Sequence, residues 1–266
     1  MKTTLNIERP LSSRVVSLYR SSCRNVGDWH SAPVRYFPLL NGRIINILSV
    51  KKSVILIDAD VIVGGGGMFT PKNNDRFKFI HLAPGRRLVG WGVGENRHFK
   101  KDWIKGQPFK LPDWAYRCDL LGVRDWGTSM RWVPCVSCLH PDFENPKPPI
   151  HDIVVYEHMD HPIDIVGFPK RSNKGKDIKT TLAFLASGRV VITSSYHGAF
   201  WATLLGRSVV AFPFSTKFYG MRHRPVLSRP ADWKKAVEMA VMYPQAFAEC
   251  RKATLSFAMD VFKLLK

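Results

Sequence analysis

Residues 189–212, RVVITSSYHGAFWATLLGRSVVAF, carry the pattern that decides the fold. The β-branched run at 189–193 reads as a buried strand, 196–205 as a helix and 208–212 as the next strand. Strand, hydroxyl-rich turn, helix and strand in succession are the signature of an α/β fold with a parallel sheet. Working outward, DIVVYE at 152–157 is another strand and KTTLAFLAS at 179–187 another helix. From 231 to the end the chain reads as helical, interrupted at Pro244, which stops or kinks it. Phe247, Leu255, Phe257, Val261 and Leu264 give that tail apolar positions to pack on a sheet.

The first half repeats the theme. RVVSLYR at 14–20 reads as a strand followed by a polar turn at 21–28, and VILIDADVIV at 54–63 runs straight into Gly64, Gly65, Gly66 and Gly67. RLVGW at 87–91 is a strand ending at Gly92 and Gly94. DLLGVR at 119–124 is another, with 125–130 turning into a short helix. The Pro-rich stretch 141–149 is the best linker. The expected architecture is therefore two Rossmann-like halves, residues 1–145 and 150–266, facing a central cleft. The candidate sites then lie just after strand carboxyl ends, where doubly wound sheets bind ligands.

Charge narrows the partner. Over 266 residues, 40 Lys and Arg against 21 Asp and Glu leave a formal charge of +19. That balance implies an anionic partner: nucleic acid, an anionic membrane surface or a phosphorylated substrate. Residues 167–230 carry eleven Lys or Arg with Asp177 as the sole acid. A solvated basic face that maintains solubility explains the same numbers. The opening MKTTLNIERPLSSR lacks the apolar core of a signal peptide, and no run approaches the ~18–20 apolar residues of a membrane span. Five cysteines at irregular spacing suit a reduced protein. These features point to the cytoplasm, with a charge suited to peripheral contact at the inner membrane surface.

Several motifs carry chemistry, each with a bland alternative. Four glycines after a strand let backbone N–H groups approach an anion, although a tight turn needs them equally. They form neither a Walker loop nor a GxGxxG fingerprint. In WGVGEN at 91–96, Glu95 and Asn96 follow a strand, and the Asn96 amide suits a sugar or phosphate. Arg124 offers planar recognition of carboxylate or phosphate, with Asp125 either orienting it or capping the next helix. Ser194, Ser195 and His197 open a helix whose unpaired N–H groups favour anions. There His197 tends toward the neutral form, a bound phosphate favours imidazolium, and the ring suits a general acid. In FSTKFYG at 214–220, Lys217 is a candidate phosphate cation, with Ser215 and Thr216 as donors. Cys135, Cys138 and His140 make half a zinc site, but Cys23, Cys118 and Cys250 are not spaced to complete it, so no metal is expected. No GxSxG elbow for a serine hydrolase occurs.

Taken in order, the turn Asn25-Val26-Gly27-Asp28, the glycine run, GxG, Arg124-Asp125 and His197-Gly198-Ala199 resemble the polysaccharide pyruvyl transferase family. Residues 192–218, ITSSYHGAFWATLLGRSVVAFPFSTKF, are most similar, to that family's His-Gly helix, strand and Lys-Phe pair. The resemblance spans roughly residues 25–218. It implies a fold like that of the GT-B glycosyltransferases, phosphoenolpyruvate as donor with no further cofactor, and a hexose of an exopolysaccharide or lipid-linked glycan as acceptor. It further implies that Arg124 holds the donor's carboxylate or phosphate and that His197 is the catalytic imidazole. Gly65, Gly66, Gly67, Ser194, Ser195 and Lys217 would complete the donor pocket, with Asp28, Glu95 and Asn96 toward the acceptor. Ser195 departs from the family, many of whose members carry Arg there; Lys217 or Arg222 then has to supply the charge.

Two other readings compete. The same anion-binding turns would serve the diphosphate of a nucleotide-sugar glycosyltransferase. A degenerate, basic glycan- or nucleic-acid-binding protein would want aromatics interleaved with a basic stripe. Trp91, Trp103, Trp114, Trp126, Trp132 and Trp201 are dispersed instead, which disfavours nucleic acid.

Overall fold

Short β-branched segments, each closed by a polar or glycine turn, build two parallel sheets in the computed structural model, which describes residues 14–22, 24–51, 53–98 and 110–266. Cys23, Trp103 and the segment 1–13 lie outside the described residues. In the first half the elements run β1 (Val15–Tyr19), α1 (Val26–Trp29), β2 (Arg43–Asn46), β3 (Ile55–Ile57), β4 (Asp60–Phe69), α2 (Pro71–Phe77), β5 (Ile80–Leu82), β6 (Leu88–Glu95) and β7 (Leu120–Val123). They form a five-stranded sheet in the order β2-β1-β4-β6-β7, every pair parallel, with β3 and β5 paired beside it.

The second half runs β8 (His151–Glu157), β9 (Lys170–Ser172), α3 (Ile178–Ala186), β10 (Gly188–Thr193), α4 (Tyr196–Leu204), β11 (Ser208–Ala211), β12 (Val226–Leu227), α5 (Trp233–Glu238) and α6 (Ala246–Leu264). Its sheet, also five-stranded and parallel, has the order β12-β11-β10-β8-β9. The mixed α/β character with parallel strands is as the sequence pattern requires.

Local expectations differ from the structure at four places. The glycine run is part of β4 and not a loop after it: Gly64 pairs with Trp91 and Gly66 with Val93, and the register shifts after Gly66, whose φ is +85°. Likewise β6 continues through Gly92 and Gly94 to Glu95. Without side chains these segments lie flat against other backbone, so pairing continues where the glycines suggested an open turn. Residues 125–130 form a turn and not a helix. Gly127 there has φ +81°, and Asp125 spends its carboxylate on the Glu95 N–H at 2.8 Å, not on a cap. Finally, Leu255 on α6 is 40% exposed, facing away from the core.

The rest of the α6 apolar face returns to the first sheet. Phe257, Ala258 and Val261 are buried against Val15, Ile62, Val89 and Trp91, with the Trp91 and Phe257 rings edge to face at 5.2 Å. Fully burying a side chain such as Phe257 contributes about 1.5–3 kcal/mol. A second core joins Val26, Cys135, Cys138 and Phe143 to α3 and α4, so the two halves share packing. Among the described residues no helix is long and apolar enough to cross a membrane.

Candidate active site

The His-Gly helix shows how sequence sets local geometry. β10 ends at Thr193, whose hydroxyl accepts the Ser195 N–H at 2.9 Å and turns the chain. Ser195 then caps α4, its Oγ accepting the Gly198 N–H at 3.3 Å. Gly198 cannot be larger: a Cβ there would stand 2.4 Å from the Tyr156 ring and 2.5 Å from Thr193 Oγ1. The cap and this close approach bring His197, 5% exposed, into the first turn of α4 against the first half.

There it meets residues that follow the carboxyl ends of other strands. A cavity of about 30 Å³ is lined by Asn25, Asp28, Gly67, Asn96 and Arg124 from the first half, and by His158, Ser195, Tyr196, His197 and Lys217 from the second. Asn25 caps α1, accepting from the Gly27 N–H at 2.9 Å. Arg124 follows β7; its Nη2 donates to the Glu95 carbonyl at 3.1 Å, and its guanidinium carbon lies 4.2 Å from the Tyr196 ring centroid. Arg124 Nε and Asn96 Oδ1 are buried with no hydrogen-bond partner. Lys217 is 9% exposed, its ammonium 4.2 Å from the Phe214 ring centroid.

Burial and crowding of positive charge set the electrostatics. Burial pulls the Lys217 ammonium down to about 7; Asp28 opposes this and Arg124 adds to it. His197 is driven well below the ordinary imidazole value, first by burial and then by Arg124 and Lys217. His158 falls to about 4, through burial and then Lys217. The cavity is thus a place where positive charge is held against its tendency to discharge, and an arriving anion opposes each of these shifts. With the α4 amino terminus alongside, the arrangement suits a small, multiply charged anion.

The structure gathers seven of the residues singled out from sequence around this cavity: Asp28, Gly67, Asn96, Arg124, Ser195, His197 and Lys217. It does not gather the others. A Cβ on Gly65 would stand 2.1 Å from the Ser31 carbonyl, so that glycine serves close backbone packing, and Gly66 sits at the irregularity of β4. The Ser194 hydroxyl accepts from the His158 N–H at 2.8 Å and donates to the His161 carbonyl at 2.6 Å. Glu95 pairs with Arg97 at 2.6 Å on the wall of a separate cavity of about 340 Å³. Ser215 is fully buried, and Thr216 Oγ1 accepts the Arg97 N–H at 3.0 Å.

Asn25, named in the Asn25–Asp28 turn but given no role, lines the cavity, and His158 and Tyr196 line it without having been singled out. His158 was within reach of the strand-end rule, since it directly follows DIVVYE; Tyr196 reads as a core aromatic until Arg124 is seen over its ring. Cys135 and Cys138 are buried and point to different partners, His197 Nε2 at 3.5 Å and Thr254 Oγ1 at 3.3 Å. Among the described residues no group of three or more His, Cys, Asp or Glu side chains is arranged to hold a metal ion. No protein-family model matches the chain, and no curated protein matches it.

Proposed function

We propose that the protein transfers pyruvate from phosphoenolpyruvate to a sugar residue of an exopolysaccharide or lipid-linked glycan, forming a ketal, and that its two sheets are GT-B-like halves around the reaction site. One observation carries this reading: Arg124, Lys217 and His197 converge on one cavity from opposite halves, each at or beyond a strand carboxyl end. A trianionic donor is a fitting occupant for two buried cations and a helix amino terminus. About 30 Å³ holds roughly one or two waters, so the lining has to part to admit the donor.

Ketal formation needs a proton on the donor's methylene carbon, which leaves an electron-poor centre at C2. One sugar hydroxyl adds to C2, losing its proton; the C2–O bond to phosphate breaks; the second hydroxyl closes the ring and loses its proton in turn. Arg124 and Lys217 neutralise the carboxylate and the departing phosphate. His197, neutral when the site is empty, takes up a proton once the trianion is bound and is the acid. Asp28, 24% exposed at its side chain and 3.3 Å from Arg20, is on the acceptor side as the base for the incoming hydroxyl. Cytoplasmic location, with peripheral contact at an anionic inner membrane surface, belongs to the same proposal.

Thermal stabilisation by phosphoenolpyruvate, against UDP, GDP and inorganic phosphate, tests it. A ligand at 100 times its Kd adds about 2.7 kcal/mol. We expect selective stabilisation by phosphoenolpyruvate that is lost in Arg124→Ala. Stabilisation by UDP or GDP alone would sink pyruvyl transfer and favour glycosyl transfer.

A further inference from the structure

The Cys-Val-Ser-Cys segment at 135–138 takes no part in the function proposed above, yet it touches the site. Cys135 and Ser137 are wholly buried, as is Trp201 on α4. The Trp201 indole Nε1–H donates to Ser137 Oγ at 2.9 Å, Ser137 Oγ donates to Cys135 Sγ at 3.1 Å, and Cys135 Sγ lies 3.5 Å from His197 Nε2. The direction of this chain is set at its far end. An indole N–H can only donate, so Ser137 meets it with a lone pair and has its own proton free for the sulfur. The thiol hydrogen, not engaged with Ser137, is then available to His197 Nε2.

Charge agrees with this direction, because burial raises the thiol and lowers the imidazole, leaving both partners neutral. The opposite edge of the ring lies against the α1 turn: a Cβ on Gly27 would stand 2.1 Å from His197 Nδ1, and Asn25 and Asp28 on the same turn line the cavity, as does His197 itself. We infer that Trp201, Ser137 and Cys135 form a positioning relay that fixes His197 as its Nδ1–H tautomer, so that the ring presents a proton, not a lone pair, to the anion site. The inference rests on the reading of His197 as the imidazole facing the donor. The other tautomer would turn a lone pair toward an incoming phosphate or carboxylate and repel it.

Two-bond nitrogen–proton correlation spectra of the intact ¹⁵N-labelled protein test the relay, with the His197 signals identified by their loss in His197→Gln. We expect a protonated Nδ1 and an unprotonated Nε2 in the wild type. Cys135→Ala and the near-isosteric Cys135→Val remove the thiol hydrogen, so whichever of them folds is expected to populate Nε2–H, whereas Cys135→Ser keeps a donor and is expected to retain Nδ1–H. Phosphoenolpyruvate affinity should fall roughly tenfold in the Ala or Val variant, the size of one lost hydrogen bond to a charged group, and recover in Cys135→Ser. A wild-type His197 protonated at Nε2, or a tautomer unmoved in both the Ala and Val variants, overturns the relay. Because no substrate enters the spectra, a protein that shows Nδ1–H but ignores phosphoenolpyruvate refutes the function and leaves the relay standing.

Discussion

Replacing Lys217 with methionine should make the protein more stable and weaken anion binding at the cavity. The Lys217 ammonium falls from 10.5 to about 7, chiefly through burial. At 1.36 kcal/mol per decade, keeping it charged in the folded state costs about 5 kcal/mol. Methionine preserves the apolar stem but gives up the contact between Nζ and the Phe214 ring at 4.2 Å. That contact is worth about 2 kcal/mol when desolvated, which leaves a net gain of about 3 kcal/mol at pH 6. For a chain of this size, this corresponds to a midpoint roughly 6–12 °C higher.

The pH dependence is the sharper signature. A lysine whose value is depressed on folding destabilises the fold fully below its folded value of about 7. The cost fades as pH rises from there toward the unfolded value of 10.5. The advantage of Lys217→Met should therefore be constant below pH 7 and shrink steadily between pH 7 and 10.5. Thermal melts of wild type and variant between pH 7 and 10.5 read it directly, above the range in which His197 and His158, both also depressed by Lys217, titrate. Equal midpoints at pH 6, or a difference that does not change with pH, would refute the picture of Lys217 as a buried charge awaiting an anion.

Three further outcomes follow from the same geometry. Gly27→Ala sets a Cβ 2.1 Å from His197 Nδ1, and we expect a loss of about 1–3 kcal/mol together with loss of stabilisation by phosphoenolpyruvate, both measured by thermal melts. Gly65→Ala meets the Ser31 carbonyl at 2.1 Å, a backbone atom that cannot swing away. Its expected cost is about 3 kcal/mol in urea denaturation, and a neutral result would mean that this glycine is free for a ligand after all. Phosphoenolpyruvate affinity should decline as pH rises above about 7, because the empty site then loses the Lys217 proton; calorimetry in buffers of different ionisation enthalpy should show proton uptake on binding.

The α/β class was legible because each strand is a short β-branched run with a polar or glycine boundary, and these signals are local. Arg124, His197 and Lys217 were legible for a related reason: in parallel sheets a ligand is met beyond the strand carboxyl ends, and Arg124 follows β7, Lys217 lies beyond β11 and His197 sits in the first turn of the helix after β10. Pairing and contact were not legible. Nothing in four consecutive glycines says whether the bare backbone faces an anion or another backbone; the Ser31 carbonyl beside Gly65 decides for packing. A hydroxyl at 194 or a carboxylate at 95 looks free until the His158 N–H and Arg97 claim them. The same holds for Cys135, which in sequence is half of an incomplete zinc site and in the fold is the neighbour of His197, 62 residues away along the chain. Sequence by itself determined the α/β class, the main strands and helices and which residue types sit near their ends, because those depend on neighbours a few residues apart. Only the tertiary structure decided which polar groups remain unpaired and in what charge state, because burial and partners come from chain segments distant in sequence that meet only when the chain folds.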